Sequence, residues 1–198
     1  MSRRATPVLR LASASPRRRE LLADIGVAVD VCPADLDETP HPDEAPQDYV
    51  LRLAREKANA GHVDDTLPTL GADTVVVLDG QVLGKPRDGE HARRMLAELA
   101  GRRHQVMTAV AVHGPVGLVT TCVVSRVTLR DIASDEITAY WHTGEPVDKA
   151  GGYAIQGLGG VFVQHLEGSH SAVVGLPLCE TAVILQRQGV PLWNLPVS

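Results

Sequence analysis

The chain predicts an α/β fold, in which a mixed, twisted sheet carries helices on its faces and two lobes flank a central cleft. Segments of helical periodicity alternate with β-branched segments, which is the pattern of helices packed on a sheet. Three pairs of strand-like segments are each joined by a short turn, so part of the sheet is antiparallel. No linker rich in Gly, Ser or charge interrupts the chain. We therefore expect residues 1–198 to form a single domain whose two lobes share one core.

The first predicted strand, residues 8–12, leads into a helix that begins with an unusual cluster of cations. Ser15 is the predicted N-cap and Pro16 the first helical residue. Three arginines, residues 17–19, fall in the first turn, where positive charge opposes the helix dipole. Free amides, hydroxyls and arginines at one helix start suit a bound phosphate, whereas a solvated basic turn is the alternative. This stretch alone leaves both interpretations open.

A second helix, predicted over residues 46–60 with Gly61 as its C-cap, carries a lysine on its apolar face. Helical spacing puts Lys57 on the same stripe as Leu53. Lysines on such a stripe commonly extend the ammonium to the rim, but Lys57 is also the first cation directed inward. The loop before this helix is acidic and proline-rich, includes Glu38, and is predicted to be largely solvated.

A β-hairpin follows, with a carboxylate at its start and a lysine after its end. The apolar run at residues 75–78 and the Asp-Gly turn at residues 79–80 predict two antiparallel strands. Asp73 stands at the mouth of this buried run, so it should have a partner. Lys85 does not belong to a P-loop, because the glycine spacing is one residue short and a proline follows where Ser or Thr would bind magnesium.

The remaining segments complete the alternation of helices and strands. We predict a helix over 89–100, strands over 105–113 and 118–129, a helix over 134–143 capped by Ser134, a hairpin over 161–166 and 169–174, and a helix over 176–188. A glycine-rich stretch over 148–160 lets backbone approach a ligand closely, although a loop with a bulge is the plainer alternative. It lacks the dinucleotide-binding fingerprint, but its Gln156 amide could read a base edge.

Composition and motifs exclude several classes of function. A net charge of −5 and 3% aromatic residues argue against a nucleic-acid surface. Three cysteines without CxxC spacing argue against a disulfide framework, and neither a signal-peptide core nor a spanning segment is evident, so we expect a cytoplasmic protein without a membrane partner. No HExxH or GxSxG motif supports a zinc hydrolase or a serine acyl transferase.

The residues that remain are carboxylates that could hold magnesium and cations that could hold phosphates. Asp73 and Glu38 form the first group, and the cations at positions 17, 18, 57 and 85 form the second, with Lys149 as a further candidate. This combination suits phosphoryl or nucleotidyl transfer to water, in which positioning and charge neutralisation supply most of the catalysis.

Six motifs in order then carry a resemblance that covers nearly the whole chain. They are Leu-Ala-Ser-Ala-Ser-Pro-Arg-Arg (11–18), Leu-Ala-Arg-Glu-Lys-Ala (53–58), Gly-Ala-Asp-Thr-Val-Val (71–76), Lys-Pro (85–86), Gly-Leu-Gly-Gly (157–160) and Val-Gly-Leu-Pro-Leu (174–178). Together they resemble the Maf family of nucleoside triphosphate pyrophosphatases. The resemblance implies a Maf/inosine-triphosphatase-like fold, a homodimer, and an enzyme dependent on a divalent cation, Mg²⁺ or Mn²⁺, that splits a nucleoside triphosphate into the monophosphate and pyrophosphate.

The resemblance also assigns roles by position. It implies that Asp73 is catalytic and holds the metal together with Glu38. Phosphate binding falls to Ser15, Arg18, Lys57 and Lys85, and base specificity falls to Arg17, Thr74 and Gln156. The last three residues follow the pattern of the branch that prefers dTTP and UTP, since a neutral Gln both donates to and accepts from a pyrimidine.

The predicted activity is therefore hydrolysis of dTTP and UTP, with CTP and modified pyrimidine nucleotides as further candidates. The alternative is a nucleotide-binding regulator of septum formation or cell division without physiologically important turnover. A nucleic-acid-binding module is a third hypothesis, which the charge and the scarce aromatics disfavour.

Overall fold

The computed structural model describes residues 6–63 and 66–193. Its strands are β1 (Leu9–Leu11), β2 (Val29–Val31), β3 (Thr69–Leu78), β4 (Gln81–Leu83), β5 (Arg103–Gly114), β6 (Gly117–Leu129) and β7 (Val163–Glu167). Its α-helices are α1 (Pro16–Asp24), α2 (Pro46–Gly61), α3 (Gly89–Leu99), α4 (Ser134–His142), α5 (His170–Val174) and α6 (Leu178–Arg187). Three short 3₁₀-helices lie between α4 and β7, over Glu145–Asp148, Ala150–Gly152 and Leu158–Phe162.

The strands form one mixed sheet in the order β2-β1-β3-β5-β6-β7, and β4 pairs with β3. The β1 strand runs parallel to β2 and to β3, whereas β3 with β4 and β6 with β7 are antiparallel pairs. The predicted mixed α/β sheet is therefore confirmed. No helix within the described ranges is both long enough and apolar enough to cross a membrane.

The chain divides into two compact units, and the strands β3, β5 and β6 contribute residues to both. The first unit comprises Met1–Asp73, Thr108–Cys122 and Gly175–Ser198. The second comprises Thr74–Met107 and Val123–Val174. The central cleft and the single domain over 1–198 stay predictions, and the ends of that range lie outside the described residues.

In the first unit, two glycines let the α2 backbone lie directly on neighbouring strands. A Cβ on Gly71 of β3 would come within 2.4 Å of the Ala54 carbonyl oxygen and of the Ala58 amide nitrogen. A Cβ on Gly61 would lie 2.8 Å from the Cβ of Ala12. Gly61 is the last helical residue rather than the predicted cap. Gly61 is therefore required by this close packing and not by a left-handed turn.

In the second unit, the core gathers buried side chains from five of the strands and helices and from the 3₁₀ segments. The cluster consists of Val76, Leu78, Leu96, Leu99, Val106, Val127, Leu129, Ile137, Tyr140, Tyr153 and Phe162. The hairpin between β3 and β4 turns at Asp79 and Gly80, whose φ angles of 50° and 80° are both positive. Positive φ at both central residues is the signature of the twist-matched two-residue turn, so the predicted hairpin is confirmed.

Two further local predictions differ from the structure. Residues 169–174 were expected to be a strand, but His170–Val174 is helical, because the Ser169 hydroxyl accepts a hydrogen bond from the Ala172 amide at 3.2 Å and caps the turn. Ser134 is the first helical residue of α4 and not its cap. The preceding residue, Ala133, donates its amide to the Glu136 carboxylate at 3.1 Å instead.

Candidate functional site

Lys57 stands between two carboxylates in the first unit. Its Nζ lies 2.7 Å from Oδ1 of Asp73 and 2.6 Å from Oε1 of Glu38. The Asp73 side chain is only 13% exposed, whereas that of Glu38 is 50% exposed. Asp73 thus has the partner that its burial requires, and the partner is the lysine that lies on the apolar stripe of α2.

The backbone approach at Gly71 is what brings these groups together. Gly71 precedes Asp73 by two residues in β3, and a Cβ at Gly71 would lie 2.9 Å from the Cβ of Lys57. Only a residue without a side chain lets α2 sit this close to the strand. The helix therefore delivers the stem of Lys57 beside the strand, with its ammonium at the carboxylate of Asp73.

Glu38 reaches Lys57 because α2 also holds the acidic loop. The Tyr49 hydroxyl donates to the Glu38 carbonyl oxygen at 2.8 Å, and Arg52 donates to the Thr39 carbonyl oxygen at 3.2 Å. Arg52 also contacts both carboxylate oxygens of Glu44, at 2.7 and 2.8 Å, and this hydrogen bonding lowers the pKa of Glu44 to about 2. The loop is mostly exposed, as predicted, and these hydrogen bonds attach it to α2.

Arg18 lies within the electrostatic field of the same carboxylates. Its Nε donates to the Gly175 carbonyl oxygen at 2.9 Å, and its Nη1 donates to the Ser13 hydroxyl at 3.2 Å. Burial lowers the pKa of Arg18, attraction to Asp73 and Glu38 opposes that effect, and repulsion from the neighbouring arginine adds to it. Arg18 stays charged, because an arginine side chain keeps its proton in proteins.

The helix start before Arg18 does not use the Ser15 hydroxyl as a cap. Ser15 is the N-cap of α1 with an extended backbone, as predicted, and Pro16 follows it. Among the described residues, the Ser15 hydroxyl makes no capping hydrogen bond, while its amide donates to the Ser13 hydroxyl at 3.2 Å. Arg17 lies partly buried in the first turn. Hydroxyl, cations and helix start form the arrangement that binds anionic oxygens.

The other predicted site residues belong to the second unit. Thr74 is half-buried in β3, and Lys85 is exposed two residues after the end of β4. The carbonyl oxygen of Gly84 accepts a hydrogen bond from the Gly151 amide at 3.0 Å, which joins the Lys85 loop to the glycine-rich segment. Gln156 lies exposed between the second and third 3₁₀-helices. Lys85 and Gln156 are thus carried by neighbouring segments of this unit.

Two residues that the sequence analysis did not single out organise the glycine-rich segment. They are Tyr140 on α4 and Glu145 in the first 3₁₀-helix, whose hydroxyl and carboxylate lie 2.6 Å apart. Both contact backbone amides within residues 154–159. Nothing in the local pattern distinguished Glu145 from an ordinary polar residue after a helix end.

The donor set around Lys57 fits a magnesium-type site better than a zinc site. Asp73 and Glu38 both contact one atom, Nζ of Lys57, so the two candidate ligands belong to one cluster. Across 6–63 and 66–193, no three His, Cys, Asp or Glu side chains cluster closely enough to hold a metal alone. Mg²⁺ binds with one or two carboxylates, several waters and substrate phosphates, which two carboxylates can satisfy.

Sequence comparison finds relatives that match nearly the whole chain. A dTTP/UTP pyrophosphatase of Anaeromyxobacter dehalogenans (strain 2CP-C) is 56% identical over 96% of this chain and 99% of that protein. A dTTP/UTP pyrophosphatase of Hahella chejuensis (strain KCTC 2396) is 50% identical over 93% and 94%. The solved structure of a HAM1 protein from Coxiella burnetii covers 92% of this chain and 100% of its own, with a TM-score of 0.52 and 15% identity, so this likeness concerns the fold alone. Residues 8–188 match the family described as Maf-like protein, and the chain belongs to that family.

Proposed function

We propose that this protein is a nucleoside triphosphate pyrophosphatase, a hydrolase that converts dTTP and UTP to the monophosphate and pyrophosphate. The observation that carries the proposal is the Lys57 ammonium between Asp73 and Glu38, with Arg18 in the same field. Relatives that are 50–56% identical over nearly the whole chain are named for this activity. A cation cluster facing carboxylates is what phosphoanhydride hydrolysis needs, since charge must be neutralised while water is oriented.

Within this proposal, Asp73 directs the attacking water. Its carboxylate is mostly buried and is held by Lys57 through Oδ1. A carboxylate fixed in this way can accept a hydrogen bond from water on its other oxygen and polarise that water toward phosphorus. Arg18, Lys57, Lys85 and the Ser15 hydroxyl bind the phosphate oxygens, because guanidinium and ammonium groups donate strong, charge-assisted hydrogen bonds to phosphate and the hydroxyl adds a neutral donor.

Glu38 and Asp73 are the residues that would hold the divalent cation, Mg²⁺ or Mn²⁺. When bound, such a cation neutralises charge on the phosphate oxygens and orders water. Glu38 is suited to this role because its carboxylate is half exposed, while its backbone is fixed to α2 through Tyr49. The remaining ligands would be waters and substrate oxygens.

Base selection is assigned to Arg17, Thr74 and Gln156. The Gln156 amide presents both a donor and an acceptor, which match the ring N–H and the carbonyl of a pyrimidine such as thymine or uracil. Its exposure leaves both groups available to a ligand. We also propose a homodimer that acts in the cytoplasm on a free nucleotide, without a nucleic-acid or membrane partner, as the family resemblance and the composition suggest.

A substrate panel with separate detection of pyrophosphate and orthophosphate tests the proposal. The purified protein is incubated with dTTP, UTP, CTP, dATP and GTP, with Mg²⁺, with Mn²⁺ and with a chelator. We expect pyrophosphate from dTTP and UTP in the presence of metal. Release of orthophosphate alone overturns the proposal, and tight nucleotide binding without turnover under every condition favours the regulator of cell division.

A further inference from the structure

We infer that Tyr140 and Glu145 form a clamp that positions the backbone on both sides of Gln156 and thereby sets base selectivity. The inference rests on the proposed function and assigns positioning residues to it. Neither residue contacts a nucleotide in this account. Both act through the segment over residues 154–159, which lies with them in the second unit.

Glu145 holds the segment after Gln156. Its Oε2 accepts a hydrogen bond from the Leu158 amide at 2.9 Å, and its Oε1 accepts one from the Gly159 amide at 2.9 Å. One carboxylate therefore fixes two successive backbone amides. Hydrogen bonds to an ionised acceptor are stronger than neutral ones, so this is a firm attachment for an exposed turn.

Tyr140 holds the segment before Gln156 and is itself tied to Glu145. The Tyr140 hydroxyl accepts a hydrogen bond from the Ala154 amide at 3.2 Å and donates its proton to Oε1 of Glu145 at 2.6 Å. The Tyr140 ring is 5% exposed and packs edge-on against Phe162, with the ring centroids 5.1 Å apart. The clamp is therefore anchored in the core of the second unit.

The glycines of the segment fit the clamp so closely that a side chain would break it. A Cβ on Gly157 would lie 2.4 Å from Oε2 of Glu145, and the φ of Gly157 is 153°. A Cβ on Gly159 would lie 2.5 Å from the Tyr140 hydroxyl oxygen. The segment between the anchors is thus shaped by direct contact with them, independently of the hydrogen bonds.

The Gln156 side chain has no such support of its own. It is exposed, and no hydrogen bond holds its amide within the part of the chain that the structure describes. Binding of a base must order the Gln156 side chain, and each further torsion that has to be ordered costs binding free energy. The amide can therefore select a base only if the backbone that carries it is already fixed. The two anchors, two residues before and two or three residues after Gln156, supply that single position.

At neutral pH, Glu145 and Tyr140 are in the protonation states that the hydrogen bonds of the clamp require. Burial alone would raise the pKa of Glu145, but hydrogen bonds from Tyr140, Gly159 and Leu158 hold it below its usual value. Burial raises the pKa of Tyr140, and its hydrogen bond to Glu145 adds to that rise. The carboxylate thus stays an acceptor and the phenol stays a donor.

The test compares Tyr140→Phe and Glu145→Gln with a matched control, Tyr153→Phe. Tyr153 is another buried tyrosine of the same core; it directly precedes Ala154, but its hydroxyl lies 2.7 Å from Nε2 of His104 and makes no hydrogen bond to Glu145 or to the clamped amides. For each protein, kcat and KM are measured with dTTP, UTP and GTP, thermal unfolding is recorded, and amide hydrogen exchange is followed at Ala154, Leu158 and Gly159.

We expect the clamp variants to lose about tenfold in the ratio of kcat/KM for UTP to that for GTP, mainly through KM for UTP, with faster exchange at the three amides. The control should lose comparable thermal stability and keep its selectivity. Adding Gln156→Ala to Tyr140→Phe should cost little further selectivity, because both changes act on the contact between the Gln156 amide and the base. Unchanged selectivity in both clamp variants, or equal loss in the control, overturns the inference.

Failure of the proposed function gives a different result. In that case the unmodified protein releases no pyrophosphate, and selectivity is measured as the equilibrium binding of UTP against GTP by the same four proteins. A loss of binding selectivity confined to the clamp variants supports the inference. Equal affinities in all four proteins, or no nucleotide binding at all, overturns it.

Discussion

The Lys57 ammonium contacts Oδ1 of Asp73 at 2.7 Å, although the two residues belong to a helix and a strand sixteen positions apart. The same ammonium contacts Glu38 at 2.6 Å. A cation between two carboxylates, one buried and one half exposed, neutralises the group that we propose as the catalytic one. The pair therefore serves both the stability of the first unit and the proposed chemistry.

Asp73→Asn should keep the fold and abolish turnover. The amide retains the shape of the carboxylate, and Lys57 keeps Glu38 as an anionic partner, so we expect a stability loss below about 2 kcal/mol. The rate of pyrophosphate release should fall by about 10³-fold or more, because an amide cannot polarise the water in the same way. Measurements of kcat and of chemical denaturation check both parts.

The matched control for that variant is Asp79→Asn. Asp79 occupies the hairpin turn at a φ of 50°, a conformation that Asn adopts readily, and its carboxylate forms an exposed ion pair with Arg102. Turnover and stability should both stay close to those of the unmodified protein. Full activity in Asp73→Asn would show that the carboxylate is only structural.

Replacing each of two lysines by methionine should separate stability from phosphate binding. Lys57→Met leaves Asp73 largely buried without its cation, so we expect a loss of about 3 kcal/mol in the free energy of unfolding. Lys85→Met changes an exposed residue, so its stability should change by less than about 0.5 kcal/mol while KM rises. Urea denaturation and steady-state kinetics on both variants measure the contrast. Equal stability of the two would contradict the role given to the Lys57 ion pair.

Gly71→Ala should be much more damaging than Gly84→Ala. The new Cβ at position 71 would meet backbone atoms of α2 at 2.4 Å, whereas at position 84 nothing lies within 4 Å. We expect a loss of about 3 kcal/mol for the first change and little for the second. Because α2 must move away from β3, the pairing of Lys57 with Asp73 should weaken too. Thermal unfolding of both variants checks the contrast, and equal melting temperatures would refute the close approach.

His104 should make stability depend on pH in the acidic range. It is 3% exposed, and burial lowers its pKa to about 4, below the unfolded value near 6.5. As pH falls, the unfolded chain therefore binds the proton first. The stabilisation is complete above about pH 6.5 and is lost progressively down to about pH 4, by about 3 kcal/mol in total. The difference between the unmodified protein and His104→Gln across this range isolates the contribution, and a constant difference would contradict it.

The parts of the fold that could be predicted depend on residues that are adjacent in sequence. The turn at residues 79–80 carries its own signal, because Asp-Gly adopts positive φ at both positions. Asp88, directly before the helix predicted over 89–100, is of a residue type that favours N-caps, and its carboxylate accepts from the His91 amide at 2.7 Å. The strand predicted over 169–174 was wrong because one serine cap outweighed the β-propensity of the valines that follow.

The site could be predicted only in part, because its contacts join distant segments. The inward position of Lys57 and the need of Asp73 for a partner each followed from local pattern. Their pairing did not, since it depends on the helix lying on Gly71. Tyr140 and Glu145 gave no local signal at all, because their role consists of hydrogen bonds to backbone amides that no side-chain pattern records.

The most direct test of the central claim is a product analysis of UTP hydrolysis by the unmodified protein with magnesium. UMP, UDP, pyrophosphate and orthophosphate are quantified together over the first turnovers. We expect one pyrophosphate for each UMP, no UDP, and loss of both products in Asp73→Asn. Formation of UDP with orthophosphate, or unchanged rates in Asp73→Asn, would contradict it.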